Sequence, residues 1–353
     1  MPLLSILLQG IYMSKRRKLS TEEVAQDISD TIKEERVIVV PELVSTGSTL
    51  LDLAISGGRY RGGGIPTGII AEIFGPNGGG KTGLLSEISA SVQSNKGQVL
   101  FLDPEARLDQ AYAEIYGLHL TDKDYYRPDL VSEFFDKIHT WEPDDDKVIN
   151  MIAADSLAAL STEIEMDGGD KMGMKRAKDF SEGLRKTCRK IANKKWLIIC
   201  SNQEREGTNG ITTPGGKGIP YYSSLRIRIT PNFKGSKIKK TKKIGNKSLD
   251  KVIGVASTCE IKKSSVDQPF RTAPISIIFG YGIDSIRDEL QWHKEITGST
   301  KYDCFGQEPT TIEKAISIIE SEGLIKDLKN RTIDKWEEIN EAFKIERKQK
   351  IRG

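Results

Sequence analysis

The chain has little of what builds disulfide frames or metal centres. Its 353 residues include four cysteines, Cys188, Cys200, Cys259 and Cys304, widely separated and without a CxxC pair. That spacing argues against a disulfide scaffold or a zinc site and fits a reducing compartment. The three histidines, His119, His139 and His293, also stand apart, as surface or packing residues do. Charge of one sign is scarce: 53 Lys and Arg face 50 Asp and Glu, and the net +3 by itself identifies no polyanionic partner. Long apolar runs are missing as well. Met1 to Tyr12 is apolar, but it is too short for a bilayer span and lacks the positive start of a signal peptide. Two readings remain for it, a translation start at Met13 or a flexible arm over residues 1–12, and the expected location is the cytoplasm. Internal repeats are absent.

What is present suits an ordinary core: 37% hydrophobic and 29% charged residues, a length for one large α/β domain with small additions. Ser20 and Glu23 form a capping-box pair ahead of Val24, Ile28 and Ile32, which predicts a short helix, then a strand at Val37–Val40. Residues 1–40 therefore read as an N-terminal arm, a helix followed by a strand. Over 41–283 strands alternate with helices. Strands are expected at Ile69–Phe74, Val99–Leu102, Val148–Ala154, Trp196–Ser201 and Leu225–Thr230. Helices are expected at Lys81–Ser94, near Leu108–Tyr116 and over Lys175–Lys194. This alternation predicts a mostly parallel central sheet covered on both faces. After Ile283 the rhythm changes. Thr310 and Glu313 offer a capping box, Ile312, Ala315, Ile316 and Ile319 an apolar stripe, and Gly323 a stop, so 284–353 reads as a small helical domain with a basic tail.

The most specific motif is Gly75-Pro76-Asn77-Gly78-Gly79-Gly80-Lys81-Thr82, a complete GxxxxGK[ST] followed by Gly83, set between an apolar strand and an amphipathic helix. Glycines let successive N–H groups turn inward toward phosphate oxygens, and the helix start adds its positive dipole end. Lys81 supplies charge to the β- and γ-phosphates of a nucleotide, and the Thr82 hydroxyl can ligate Mg2+. Phosphoryl transfer needs a carboxylate near the metal and a group that activates water. Asp155 ends the third strand, at the carboxyl edge where open α/β sheets bind ligands; it is either the metal-side acid or a helix N-cap. Glu105 lies past the second strand, as a general base or a solvated loop acid.

Taken in order, these residues resemble the bacterial RecA recombinases and their phage relatives over roughly Ser45 to Ile283. Ser45-Thr-Gly-Ser-Thr-Leu-Leu-Asp52 is similar to the segment ahead of that family's core, and Ile65-Pro-Thr-Gly68 through Thr82 to its strand and phosphate loop. In Leu102-Asp-Pro-Glu105-Ala-Arg-Leu-Asp109-Gln-Ala-Tyr112 the resemblance implies Glu105 as catalytic glutamate, with Asp109 and Tyr112 on adenine. Asp155-Ser156-Leu-Ala-Ala-Leu160 is similar to the Walker-B segment. Gly168 to Gly173 resembles the first DNA-binding loop, implying Met172 and Gly173 as contacts, followed by Arg176 and Arg185. Ser201-Asn202-Gln203 resembles the strand end whose glutamine senses the γ-phosphate. The second loop would follow from Glu204 to about Ile219, with Arg205, Ile211 as an apolar wedge, Gly215 and Gly216, and then Arg226.

The resemblance further implies a P-loop fold of the RecA type, ATP and Mg2+ as cofactors, and DNA-dependent ATP hydrolysis. It implies a helical filament of this chain on single-stranded DNA, with ATP at the subunit interface, and strand exchange with homologous duplex DNA. In that filament residues 20–40 would dock on the next protomer for oligomerisation, a helix folded on its own core being the alternative. A DNA-coating scaffold or accessory motor of the same fold, with slow hydrolysis, is the alternative. The sequence also departs from the family. The second loop is short and carries Glu204 and Glu206. Of the two lysines spaced two apart that reach a neighbour's γ-phosphate, only Lys263 of the Lys262-Lys263 pair has a match, with Ser265 in the second place. Eight lysines between Lys234 and Lys251 face one acid, Asp250, in a hairpin or loose excursion that is either a solvated surface or a DNA-capturing one.

Overall fold

The computed structural model describes residues 42–166, 174–192, 194–207 and 210–347. The arm of residues 1–40, the Gly168–Gly173 loop with Met172 and Gly173, and the last residues of the basic tail lie outside them.

A two-stranded pair, β1 (Leu43–Val44) with β2 (Ile65–Pro66), and helix α1 (Thr49–Ser56) precede the core. The core then follows in the order β3 (Ile69–Gly75), α2 (Lys81–Ser94), β4 (Val99–Leu102), α3 (Gln110–Glu114), β5 (Tyr125–Tyr126) and α4 (Val131–Thr140). Next come β6 (Asn150–Ala154), α5 (Glu163–Met166), α6 (Met174–Ile191), β7 (Trp196–Gln203), β8 (Arg205–Gly207), β9 (Gly210–Thr212) and α7 (Gly218–Tyr222). The chain continues through β10 (Leu225–Pro231), β11 (Lys237–Ile244), β12 (Lys247–Ser264), β13 (Thr272–Ile278) and β14 (Gly282–Ile283). Three helices follow, α8 (Ser285–Thr297), α9 (Ile312–Ser321) and α10 (Ile325–Ala342).

Ten strands form one sheet in the order β14-β13-β12-β10-β3-β7-β6-β4-β5, with β11 paired to β12 off that path. From β5 to β10 every pairing is parallel; from β12 to β14 the pairings are antiparallel. The inner strands of the parallel half, β4, β6, β7 and β3, are largely apolar on both faces, and their residues sort by the two-residue period of a strand. Ala71, Ile73, Phe101, Met151, Ala153, Leu197 and Ile199 pack with Leu84 and Ile88 of α2. Their neighbours Ile70, Leu100, Leu102, Ile152, Ala154 and Ile198 pack on the other face with Phe134 of α4 and Phe180 and Leu184 of α6.

The strands expected between Ile69 and Thr230 and the long helices over α2 and α6 are present with small shifts of boundary, whereas the Val37–Val40 strand lies outside the described residues. The helix near Leu108–Tyr116 is shorter than expected, Gln110–Glu114, because Asp109 caps it and it closes within about a turn. Helix α4 was not among the expected elements, although Val131, Phe134, Phe135 and Ile138 carry helical spacing and all are buried. The Thr310–Glu313 capping box does not form: Thr311 is the N-cap of α9 and makes no side-chain cap bond. Gly323 does sit just past that helix with φ of 70°. Around α8 to α10, Ile286, Leu290, Tyr302, Cys304, Ala315, Ile319 and Leu328 form their own buried cluster.

Candidate functional site

Register sets the site. Gly75 at the end of β3 lies opposite Gln203 at the end of β7, and Leu102 at the end of β4 lies opposite Ala154 at the end of β6. The residues that follow these strands therefore emerge side by side at the carboxyl edge of the sheet. They line a cleft of about 430 Å³ that includes Gly78, Lys81, Thr82, Glu105, Tyr112, Asp155 and Gln203.

The loop over Gly75–Gly80 needs its glycines for two different reasons. At Gly75 a Cβ would meet the Ile229 carbonyl oxygen at 2.0 Å, so β10 could not pass this close to any other residue. At Gly80, with φ of 96°, the backbone is left-handed and a Cβ would strike Ile277. Gly80 is also the N-cap of α2 and brings no side-chain bond, so the first-turn N–H groups keep their capacity for a ligand's oxygens. Lys81 folds its Nζ onto the carbonyls of Gly75 (3.0 Å) and Pro76 (2.8 Å). Burial holds its ammonium below the ordinary value, opposed by the negative charges of Asp155, Glu105 and Glu204.

Thr82 donates its hydroxyl to Asp155 Oδ2 at 2.5 Å, and the Ser201 hydroxyl donates to the other Asp155 oxygen. Burial pushes the Asp155 carboxyl above its usual range, and these two hydrogen bonds pull it back. Among the described residues no three His, Cys, Asp or Glu side chains converge on one point. A hydroxyl and a carboxylate set beside a phosphate loop are nonetheless hard oxygen donors of the kind Mg2+ takes when phosphates complete its shell.

Glu105 is the hub of the cleft. Its Oε1 accepts from Ser156 Oγ (2.6 Å) and from Gln203 Nε2 (3.0 Å), and its Oε2 pairs with Arg107 at 2.9 Å. Tyr112 and Tyr116 share a hydroxyl–hydroxyl bond of 2.9 Å with their rings edge-on, beside the loop. Asp109 is not in the cleft lining; its carboxylate caps α3 by accepting from Ala111 N and Tyr112 N. Sequence reasoning missed Ser201, Arg107 and Tyr116. Only Tyr116 left a trace, one helical turn after Tyr112.

Beyond Gln203 the chain forms a small antiparallel pair, β8 with β9, in which Arg205 faces Thr212. Arg205 and Ile211 are exposed and share a groove with Pro76, Asn77 and Arg228. Glu204, at its root, is paired with Arg228 Nε at 2.9 Å. That contact neutralises one of the two acids expected to oppose a phosphate backbone. Gly215 and Gly216, both at positive φ, let the returning chain press on Ile219 and on Ala177 of α6. Arg185 is exposed on α6, whereas Arg176 bonds the Leu160 carbonyl and lies 3.6 Å from Glu165. Arg226 is drawn inward: its Nε bonds Glu72 Oε2 at 2.5 Å, its guanidinium lies over Phe74, and Glu72 is 0% exposed. Asn202 completes that cluster by bonding both Glu72 and the Pro214 carbonyl. Lys263 lies apart from the cleft and holds the Pro220 and Tyr221 carbonyls at the end of α7. Lys262 pairs with Glu260.

Comparison with known proteins gives a consistent result. The family model described as the RecA N-terminal domain matches residues 28–284. Protein RecA of Thermus thermophilus is 34% identical over 254 residues, covering 70% of this chain and 70% of that protein. Protein RecA of Thermus aquaticus is 33% identical with the same coverage. Protein RecA of Phytoplasma mali is 34% identical over 257 residues, covering 70% of this chain and 71% of its own length. With that match over most of its length, on an α/β sheet with a GxxxxGK[ST] loop at its carboxyl edge, the chain belongs to the RecA family.

Proposed function

We propose that this protein is a recombinase that hydrolyses ATP when assembled on single-stranded DNA and pairs that strand with homologous duplex. The observation that carries this reading is the 3.0 Å bond from Gln203 to Glu105. Gln203 is the last residue of β7 and the root of the β8–β9 pair, so one side chain joins the acid of the cleft to the segment expected to hold DNA. A γ-phosphate competing for that amide would shift the root of the loop, which is an order switch governed by one phosphate.

Within the cleft, the first-turn amides of α2 and Lys81 bind and orient the triphosphate. Thr82 and Asp155 would hold Mg2+, and the chemistry that ion supplies when bound is neutralisation of charge across the β- and γ-phosphates. Glu105 takes the proton of the attacking water at Oε2. Its Oε1 is fixed by two donors, whereas among the described residues Oε2 is held only by Arg107, whose side chain is 79% exposed and readily displaced. Tyr112 offers a flat face to the base. Arg185, Arg205 and Ile211 face the strand. Lys263 serves a neighbouring subunit in a filament once it leaves the carbonyls of α7.

The Arg107–Glu105 pair favours a second reading, a DNA-coating protein of slow turnover, because it occupies the oxygen that must accept the proton. Hydrolysis assays with and without single-stranded DNA separate the two. The recombinase should be stimulated by the strand and form joint molecules from homologous partners. Glu105→Gln should lower turnover by about 10²–10⁴-fold while DNA is still held. A Glu105→Gln protein with unchanged turnover would remove Glu105 from the chemistry.

A further inference from the structure

The β11–β12 pair leaves the body of the sheet as a ribbon exposed on both faces beyond Val252. Five lysines lie on β11 and two more within the first five residues of β12. Register opposes Lys240 directly to Lys251, a like-charge pair that weakens a ribbon already marginal by itself. The acid within the ribbon, Asp250, is bound by the Thr241 hydroxyl at 2.7 Å, and none of the ribbon's lysines has an ion-pair partner among the described residues. A segment that gains nothing from burial and is repelled by its own charge is not explained by folding.

We propose that this ribbon is a capture arm for duplex DNA, bound through its phosphates and without sequence preference. A two-stranded β-ribbon fits the major groove of B-form DNA, and lysines on both faces suit a groove walled by phosphates on either side. Lysine ammonium groups are point charges that neutralise phosphates without reading base edges. The arm's position also fits a second strand partner. Val255, opposite Lys237 at the base of the ribbon, is a wall of the nucleotide cleft, and Ser257 of the same strand donates to the Gly79 carbonyl at 2.9 Å. A duplex on the ribbon therefore lies on the sheet edge that carries the cleft and the β8–β9 pair.

The proposal rests on the proposed function for its biological setting, but binding to the ribbon is measured separately from hydrolysis. In the full chain, Lys239→Gln, Lys242→Gln, Lys243→Gln and Lys247→Gln are combined, and the same four changed to Arg serve as the control. Duplex affinity is followed by fluorescence anisotropy over a salt series. The Gln variant should show a slope of log affinity against log salt that is shallower by about three to four, at about 0.9 for each phosphate no longer neutralised. The Arg variant should keep the slope, and hydrolysis stimulated by single-stranded DNA should stay within about twofold in both. An unchanged duplex slope overturns the proposal. So does an equal loss on single-stranded DNA, which would assign the ribbon to the first strand. A protein whose hydrolysis never responds to single-stranded DNA would defeat the recombinase reading, while the duplex slope would still decide the ribbon.

Discussion

The two halves of the sheet differ in more than strand direction. The parallel half, β5 to β10, is buried on both faces along its inner strands, and its strand ends hold the side chains of the cleft within hydrogen-bond distance of one another. The antiparallel half begins as a core strand in β12 and ends as a solvated, lysine-rich ribbon. Groups that must meet within about 3 Å are placed at or just past the ends of strands whose register cannot slip without turning every side chain to the wrong face. Groups that need only attract a polyanion are placed where precision is not required.

The comparison predicts that one added methyl will be costly in the parallel half. On α6, a Cβ at Gly183 would approach the Phe135 ring at 2.2 Å. That ring is itself confined by Phe134 and Phe180. Gly183→Ala should destabilise the protein by about 1–3 kcal/mol in urea unfolding, the usual cost of overpacking. A loss below about 0.5 kcal/mol would show that the α4–α6 layer can yield, and the contrast between the halves would weaken.

The next expected effect lies where the antiparallel half meets α8. Asp288 is 4% exposed and accepts from Ser276 N (2.8 Å) and Ser276 Oγ (2.6 Å). Burial raises its pKa to about 7, with the Ser276 bonds pulling the other way. Because the folded value lies above the unfolded one, its contribution to stability is complete below about pH 4 and fades as pH rises toward 7. Asp288→Asn does not titrate. The stability advantage of the native protein over this variant should therefore shrink by a few kcal/mol, on the order of what such a shift carries, between pH 4.5 and pH 8. A difference that stays constant with pH would mean that the Asp288 carboxylate is solvated in the folded state.

Much of this was legible in the chain, and the rest for a physical reason was not. The phosphate loop is contiguous, so its residues, helix and flanking strand could be read together. The contacts that complete the cleft are not contiguous: Ser201 with Asp155, Gln203 with Glu105 and Glu204 with Arg228 join strands far apart in sequence, and only the sheet order makes them neighbours. Arg226 illustrates the same limit. Its position matched a DNA-binding pattern, but register places it beside Glu72, and an arginine facing a buried carboxylate is drawn to it. The lysine-rich stretch from Lys234 to Lys251 read as a hairpin or a loose excursion, and β11 with the start of β12 is a hairpin. That β12 runs on for eighteen residues into the core was not visible, because local composition carries no information about a distant partner strand. Helix α4 was a simpler omission, since its spacing was visible.

The smallest expected effect is the sharpest probe of the ribbon. Leu249 is 52% exposed and faces Lys242 across the β11–β12 pair. If the ribbon stands free of the core, Leu249→Ser removes little buried area, and the unfolding free energy should change by no more than about 0.5 kcal/mol. Duplex affinity should also hold, because a phosphate backbone gains nothing from a leucine. A loss of about 1 kcal/mol or more would mean that Leu249 packs against something in solution. The lysines would then decorate a buried edge, and the antiparallel half would be as rigid at its tip as the parallel half is at its strand ends.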